Sequence, residues 1–191
     1  EEEWLATTMP AGNIRLYALW QRVDGASQTD VFQLSYTENG AVIALYTGNL
    51  PEVVIPSVLN GYTVIGIGDH AFQGCNTLQT LTVPDTIRSI GAYAFSNSSL
   101  AEIHMGDSIT TIGEYAFYDC TKLTSFPVLN EITIIPKGMM ARCTNLRTMT
   151  LGSKVKNIGE SAFSEMIRLN TLNLNEGLEH IGDDAFSCCT A

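Results

Sequence analysis

Positive charge is scarce in this chain. Ten Lys and Arg face twenty Asp and Glu across 191 residues, for a net charge of −10. A phosphate backbone or an anionic lipid surface would be repelled by that balance, so no nucleic-acid partner is expected. Long apolar runs are missing as well. No stretch reaches the roughly 18 uninterrupted apolar residues of a spanning helix, so no membrane insertion is expected. The five cysteines contain no CxxC pair, which removes the usual zinc-site and redox spacings. A signal-peptide pattern is also lacking. The chain begins at Glu1 and stops at Ala191 inside a repeat, so a piece of a longer protein is expected. Apolar residues still make up 45 %, enough for a packed core.

What is present is a period. Ile67-Gly68-Asp69-His70-Ala71-Phe72 returns as Ile90-Gly91-Ala92-Tyr93-Ala94-Phe95 and Ile112-Gly113-Glu114-Tyr115-Ala116-Phe117. It comes back again as Ile158-Gly159-Glu160-Ser161-Ala162-Phe163 and Ile181-Gly182-Asp183-Asp184-Ala185-Phe186. A degenerate copy, Ile135-Pro136-Lys137-Gly138-Met139-Met140, keeps the register between them. The spacing is even except between Phe95 and Phe117, where one residue is missing. A period of about 23 residues marks a solenoid, in which each unit buries its apolar face on its neighbours. The Phe column (72, 95, 117, 163, 186) should form its spine.

Each repeat adds a second apolar phase: Leu78, Leu81, Val83, then Leu100, Ile103, Met105, then Leu123, Phe126, Val128, continuing as Leu146, Met149, Leu151 and Leu169, Leu172, Leu174. Its alternation predicts a short strand with one buried face. Stacked in register, these strands form a parallel sheet. A short helical turn carrying Ala-Phe is expected after each glycine corner, which makes the fold an α/β solenoid. Carboxylates at or beside that corner (Asp69, Glu114, Glu160, Asp183) suit the N-terminus of a helical turn. Solvent-facing strand positions supply the candidate partner-binding residues. They are Thr80 and Thr82, Glu102 and His104, Ser125, Thr148 and Thr150, and Thr171 and Asn173, with Arg147 beside them. The bland alternative is Thr chosen for β-propensity on a solvated sheet.

Cys75, Cys120, Cys143 and Cys189 share one place in the repeat, just after the Phe column, so they read as one buried structural column. A Cys120–Cys143 disulfide across adjacent coils is the sterically allowed alternative, and Cys188 falls out of column. Upstream, two alternating runs flank Glu38-Asn39-Gly40, a hairpin signal placed where the stack needs a cap.

Chemistry finds little to attach to. Gly66-Ile67-Gly68-Asp69-His70-Ala71 matches a dinucleotide fingerprint, yet the first Gly is lost in later repeats, so no cofactor is expected. His70, His104 and His180 occupy three different phases in three coils, which argues against metal or acid–base chemistry. No catalytic residue is assigned, and an enzyme is not expected. Six basic residues cluster between Lys137 and Arg168, as either a solvated surface or a docking patch for an acidic partner.

The unit Ile-Gly-x-x-Ala-Phe-x-x-Cys-x-x-Leu-x-x-Leu-x-Val-Pro-x-x-Ile resembles the BspA-like leucine-rich repeat of bacterial surface proteins, from about Val31 to the end. The resemblance implies a right-handed superhelix built from these repeats and a secreted or cell-surface location. It also implies adhesion to host extracellular matrix or other bacterial surface proteins, without catalytic residues. The segment Thr7 to Trp20 is similar to the last strand of an internalin-type B repeat. The expected domains are therefore a B-repeat-like remnant over 1–22, a linker over 23–30 and a leucine-rich repeat domain over 31–191. The last contains a cap hairpin at 31–47 and coils from about 50 onward. The function expected is surface recognition; the alternative is a structural spacer that displays another domain.

Overall fold

The computed structural model describes residues 30–190. The B-repeat-like remnant and all but the last residue of the linker lie outside the described residues. Two strands open the fold, β1 (Phe32–Thr37) and β2 (Gly40–Tyr46), paired antiparallel around Glu38-Asn39. The first coil carries β3 (Glu52–Val54), β4 (Val58–Leu59) and β5 (Tyr62–Ile67). Later coils carry a three-residue strand followed by a two-residue strand. These are β6 (Thr80–Thr82) and β7 (Ser89–Ile90), then β8 (Glu102–His104) and β9 (Thr111–Ile112). The degenerate coil has only β10 (Ile134–Ile135). After it come β11 (Thr148–Thr150), β12 (Asn157–Ile158), β13 (Thr171–Asn173) and β14 (His180–Ile181).

The coils stack as a β-solenoid of about six turns with parallel pairing between coils. One wall contains β3-β6-β8 and then β11-β13. A second contains β1-β2-β5-β7-β9 and then β10-β12-β14. Each set stops at the degenerate coil, and the reason is chemical. Pro136 takes the place of the glycine whose N–H, in Gly91, Gly113, Gly159 and Gly182, donates to the isoleucine carbonyl one coil back. Proline has no N–H, so that rung is lost. Pro127 occupies the third strand position, aligned with His104 and Thr150, and interrupts the other wall in the same way.

No helix occurs among the described residues, which corrects the expected α/β class and its short helical turns. Two residues per coil adopt left-handed backbone, four positions apart. One column is His70, Tyr93, Tyr115, Gly138, Ser161 and Asp184, with φ between 53° and 59°. The other is Gly74, Asn97, Asp119, Arg142, Glu165 and Cys188. A right-handed helix cannot continue through such residues. Alternate N–H groups go instead to the next coil, as in His70 to Ala92, Phe72 to Ala94 and Gly74 to Ser96. Those between close i→i−3 turns, as in Gln73 to His70. The third wall is thus hydrogen-bonded along the solenoid like the strands, and it crosses the degenerate coil through Phe117 to Met139 and Met140 to Ala162.

The core is the set of repeated columns. Phe72, Phe95, Phe117 and Phe163 are fully buried, and Met140 fills the degenerate position equally buried. Ring centroids lie 5.1 Å apart for Phe72–Phe95 and for Phe95–Phe117, and 5.4 Å for Phe163–Phe186. At the hairpin end Tyr46 stacks on Phe72 at 5.0 Å and so extends the column. The thiols are free, which leaves the Cys120–Cys143 disulfide unmade. Each of Cys120, Cys143 and Cys189 donates to the Phe carbonyl of the preceding coil. Cys120 Sγ reaches Phe95 O at 3.1 Å, Cys143 reaches Phe117 O at 3.2 Å and Cys189 reaches Phe163 O at 3.1 Å. Burial raises the Cys120 pKa to about 11 and pushes Cys143 well up. The glycine column is needed for close approach: a Cβ on Gly91 would sit 2.5 Å from the backbone of Gly68 and Asp69.

Candidate functional site

Parallel pairing brings the strand-face residues into two groups. In the first, Glu52 aligns with Thr80 and Glu102, and Val54 aligns with Thr82 and His104. Their intervening neighbours Val53, Leu81 and Ile103 are buried, so strand alternation turns these side chains outward. His104 Nε2 lies 3.5 Å from Glu102 Oε1 along the same strand. Both side chains are 54 % exposed, so water screens the pair and it contributes little to stability. In the second group Thr148 aligns with Thr171 and Thr150 with Asn173, and Asn173 Nδ2 donates to Thr150 Oγ1 at 3.0 Å. Ser125 lies in the interruption between the groups, beside Phe126 and Pro127. Arg147 immediately precedes β11; its carbonyl accepts the N–H groups of Asn170 and Thr171. Its exposed guanidinium makes no ion pair among the described residues.

This face is a flat hydrogen-bonding surface. A shallow depression lies at the hairpin end, lined by Val31, Phe32, Tyr46, Leu50, Val53 and Val54. It encloses no room for a small molecule, unlike the sizeable clefts that bind such ligands, and carries no convergent polar groups. Gly66 and Gly68 of the apparent dinucleotide motif lie in and just after β5; Gly66 pairs with Ser89, so no phosphate loop exists there. Among the described residues no three His, Cys, Asp or Glu side chains cluster as a metal site.

The basic cluster of the sequence resolves into pairs between coils, one repeat apart. Lys137 reaches Glu160 at 2.8 Å, Lys154 reaches Glu131 at 2.7 Å and Lys156 reaches Glu179 at 2.7 Å. Hydrogen bonds to these carboxylates push Lys137 and Lys156 to higher pKa. Arg168 donates to Asn145 Oδ1 at 2.6 Å. Most of the cluster is therefore occupied within the solenoid. The corner carboxylates have a corrected role too. With no helix to cap, Asp69 Oδ1 accepts the Ala92 N–H at 2.7 Å, and Glu160 holds Lys137.

Sequence reasoning missed a stripe of aromatic side chains on the turn wall. The His70 and Tyr93 rings stack at 5.2 Å with 2° between their planes, and Tyr93 and Tyr115 stack at 5.0 Å with 13°. Tyr118 meets Tyr115 edge-on at 5.8 Å. A Cβ on Gly138 would overlap the Tyr115 ring, so the glycine lets Tyr115 lie across the next coil. Arg142 closes the stripe: it donates to Tyr118 Oη at 3.3 Å, with its Nε 3.4 Å from Asp119 and 3.7 Å from Glu165. The available signal was phase. His70, Tyr93 and Tyr115 hold the same position of the repeated phrase in three successive copies.

Comparison with known proteins agrees with this architecture. Residues 65–191 match the BspA type leucine rich repeat region in six copies. A leucine-rich cell surface protein from Faecalibacterium prausnitzii A2-165 superposes with a TM-score of 0.73 at 29 % identity. That match covers 83 % of this chain and 51 % of the other, so this chain spans about half the length of that protein. The T. pallidum leucine rich repeat protein gives a TM-score of 0.72 at 24 % identity, covering 84 % of this chain and 87 % of that one. The pneumococcal vaccine antigen PcpA shares the fold at 17 % identity, with a TM-score of 0.54 and coverage of 79 % and 36 % respectively. No curated protein matches the chain significantly. With its six matched copies covering well over half of the sequence, the chain belongs to the BspA type leucine-rich repeat family.

Proposed function

We propose that this chain is a non-enzymatic recognition domain of a bacterial surface protein, located extracellularly, which adheres to a protein ligand through its solenoid surface. The observation that carries the reading is the in-register stack of coils bearing outward polar side chains in two aligned groups. Repeat surfaces of this kind suit protein partners, whose affinity rests on a few well-held side chains within a broad contact. The similar Faecalibacterium protein is a cell surface protein, which supports the location. Host extracellular-matrix proteins and other bacterial surface proteins are the partner classes to screen. On the strand face, Glu102, His104 and Arg147 stand out among Thr80, Thr82, Ser125, Thr148, Thr150, Thr171 and Asn173 as charged or titratable contacts.

Surface plasmon resonance of the chain against purified matrix and bacterial surface proteins tests the reading. Saturable binding that is lost on Glu102→Lys or Arg147→Glu, with unchanged thermal unfolding, is the expected result. The rival is a structural spacer, and it too has an observation in its favour: many charged side chains are engaged between coils. A spacer gives no saturable binding to any partner, and neither reversal changes its behaviour.

A further inference from the structure

We infer that the aromatic stripe on the turn wall is a docking surface for a basic polypeptide segment, with Lys or Arg side chains seated on Tyr93, Tyr115 and their neighbouring carboxylates. The protein displays one such seat already filled. Arg142 rests against Tyr118, with its guanidinium carbon 5.9 Å from the ring centroid, donates to the phenol oxygen and lies near Asp119 and Glu165. A phenol acceptor combined with flanking carboxylates therefore holds a basic side chain on this wall.

Toward the hairpin end the repeat sets a carboxylate beside an aromatic ring twice more, with no internal base hydrogen-bonded to either ring. Asp69 precedes His70 and Glu114 precedes Tyr115 along the same turns. Asp69 accepts a backbone N–H rather than a base. Lys137 lies close enough to interact with both Tyr115 and Glu114 but gives its hydrogen bond to Glu160, and Arg142 is held in its own seat. Tyr93 and Tyr115 are only partly buried, and their hydroxyls make no hydrogen bond among the described residues. Stacking fixes His70, Tyr93 and Tyr115 before any ligand arrives, so little side-chain freedom is lost on docking. Tyr and Arg contacts of this kind dominate many protein interfaces. Stacked rings hide their faces from one another and present edges and hydroxyls. That arrangement suits a hydrogen-bonding cationic partner better than a flat sugar or base, which needs an open face. Charge complementarity points the same way, since the chain carries −10.

The inference rests on the recognition reading but concerns a different wall, so the two can fail separately. The test is fluorescence anisotropy of the 191-residue chain with a labelled twelve-residue peptide alternating Lys and Gly. Its Glu-Gly counterpart and a soluble oligosaccharide serve as comparison probes. The Lys peptide should bind saturably and the other two should not. The double variant Tyr93→Phe, Tyr115→Phe keeps the stack and the net charge but removes both phenol acceptors, and should weaken binding at least about fivefold. Glu114→Gln should also weaken it, while Glu176→Gln in the exposed turn after β13 removes the same charge and should leave it unchanged. Equal affinity for wild type and the Phe double variant at unchanged unfolding temperature overturns the inference, because bulk negative charge alone would then explain binding. So does preferential binding of the oligosaccharide, or no saturable binding of the Lys peptide. Strand-face variants that abolish a matrix-protein interaction, together with equal Lys-peptide affinity for wild type and the Phe double variant, would retain the recognition reading and discard this docking surface.

Discussion

Phe117→Ala is the sharpest perturbation of this fold. The ring is fully buried, stacks on Phe95 at 5.1 Å and meets Phe126 edge-on at 5.0 Å. On its other side the column continues through Met140, so truncation opens a void inside a continuous stack. Buried Phe→Ala changes cost about 3–5 kcal/mol, from lost transfer free energy plus the residual cavity. At about 2–4 °C per kcal/mol for a chain of this size, the unfolding midpoint should fall by roughly 6–20 °C. Position strengthens the expectation. Phe117 lies just before the coil where Pro127 and Pro136 interrupt both strand walls, so the turn wall and the core carry the junction. Nearest-neighbour coupling should spread the loss to coils on both sides. Differential scanning calorimetry against Thr148→Ala, an exposed strand-face change, is the assay. A midpoint shift for Phe117→Ala no larger than that of Thr148→Ala would refute the packing argument. Phe186→Ala, at a partly buried ring in the last described coil, should cost less than Phe117→Ala.

Further expectations concern backbone contact, dynamics and titration. Gly91→Ala should destabilise the fold by about 1–3 kcal/mol, because its Cβ meets backbone that cannot step aside; chemical denaturation reads this directly. Amides over residues 124–134, which belong to no strand before Ile134, should exchange with deuterium faster than those of β6 and β7, as mass spectrometry of exchanged peptides will show. Thiol labelling at pH 8 should modify exposed Cys188 first, and Cys120 and Cys143 only on unfolding. Cys120 has a folded pKa of about 11 against an ordinary 9.0, raised mainly by desolvation. Between those values the folded chain keeps a proton that the unfolded chain has lost. The thiol's contribution is therefore present below pH 9 and lost as pH rises to about 11. In denaturant titrations, Cys120→Ala should flatten the fall in stability across that window.

The period, the cap hairpin signal and the buried columns were all legible in the sequence. A position that recurs once in every repeat and faces a neighbouring coil must be apolar in every copy, so Phe72, Phe95, Phe117 and Phe163 announce themselves. The cysteine column was legible for the same reason, although only Cys120 and Cys143 are fully buried while Cys75 and Cys189 are half-buried. The strand-face candidates fell where alternation put them, and the structure aligns eight of the ten in two groups, with Ser125 in the interruption and Arg147 at a strand's edge.

Other features depended on how coils meet. Tyr, Ser, Arg, Glu and Cys at the left-handed positions carry no local mark of that conformation, and Gly74, Gly138 and the Asn, Asp and His positions hint at it only weakly. Helical turns were therefore expected where the N–H groups in fact reach the next coil. The missing N–H donors of Pro127 and Pro136 became decisive only once the coils were stacked. Lys137, Lys154 and Lys156 could be read only as a solvated surface or a docking patch, because their carboxylate partners lie a whole repeat away in sequence. Sequence alone determined which residues recur and which must be buried. Tertiary structure decided which surface groups are neighbours, because stacking brings residues one period apart to about 4.8 Å and leaves each side chain to the partner it finds there.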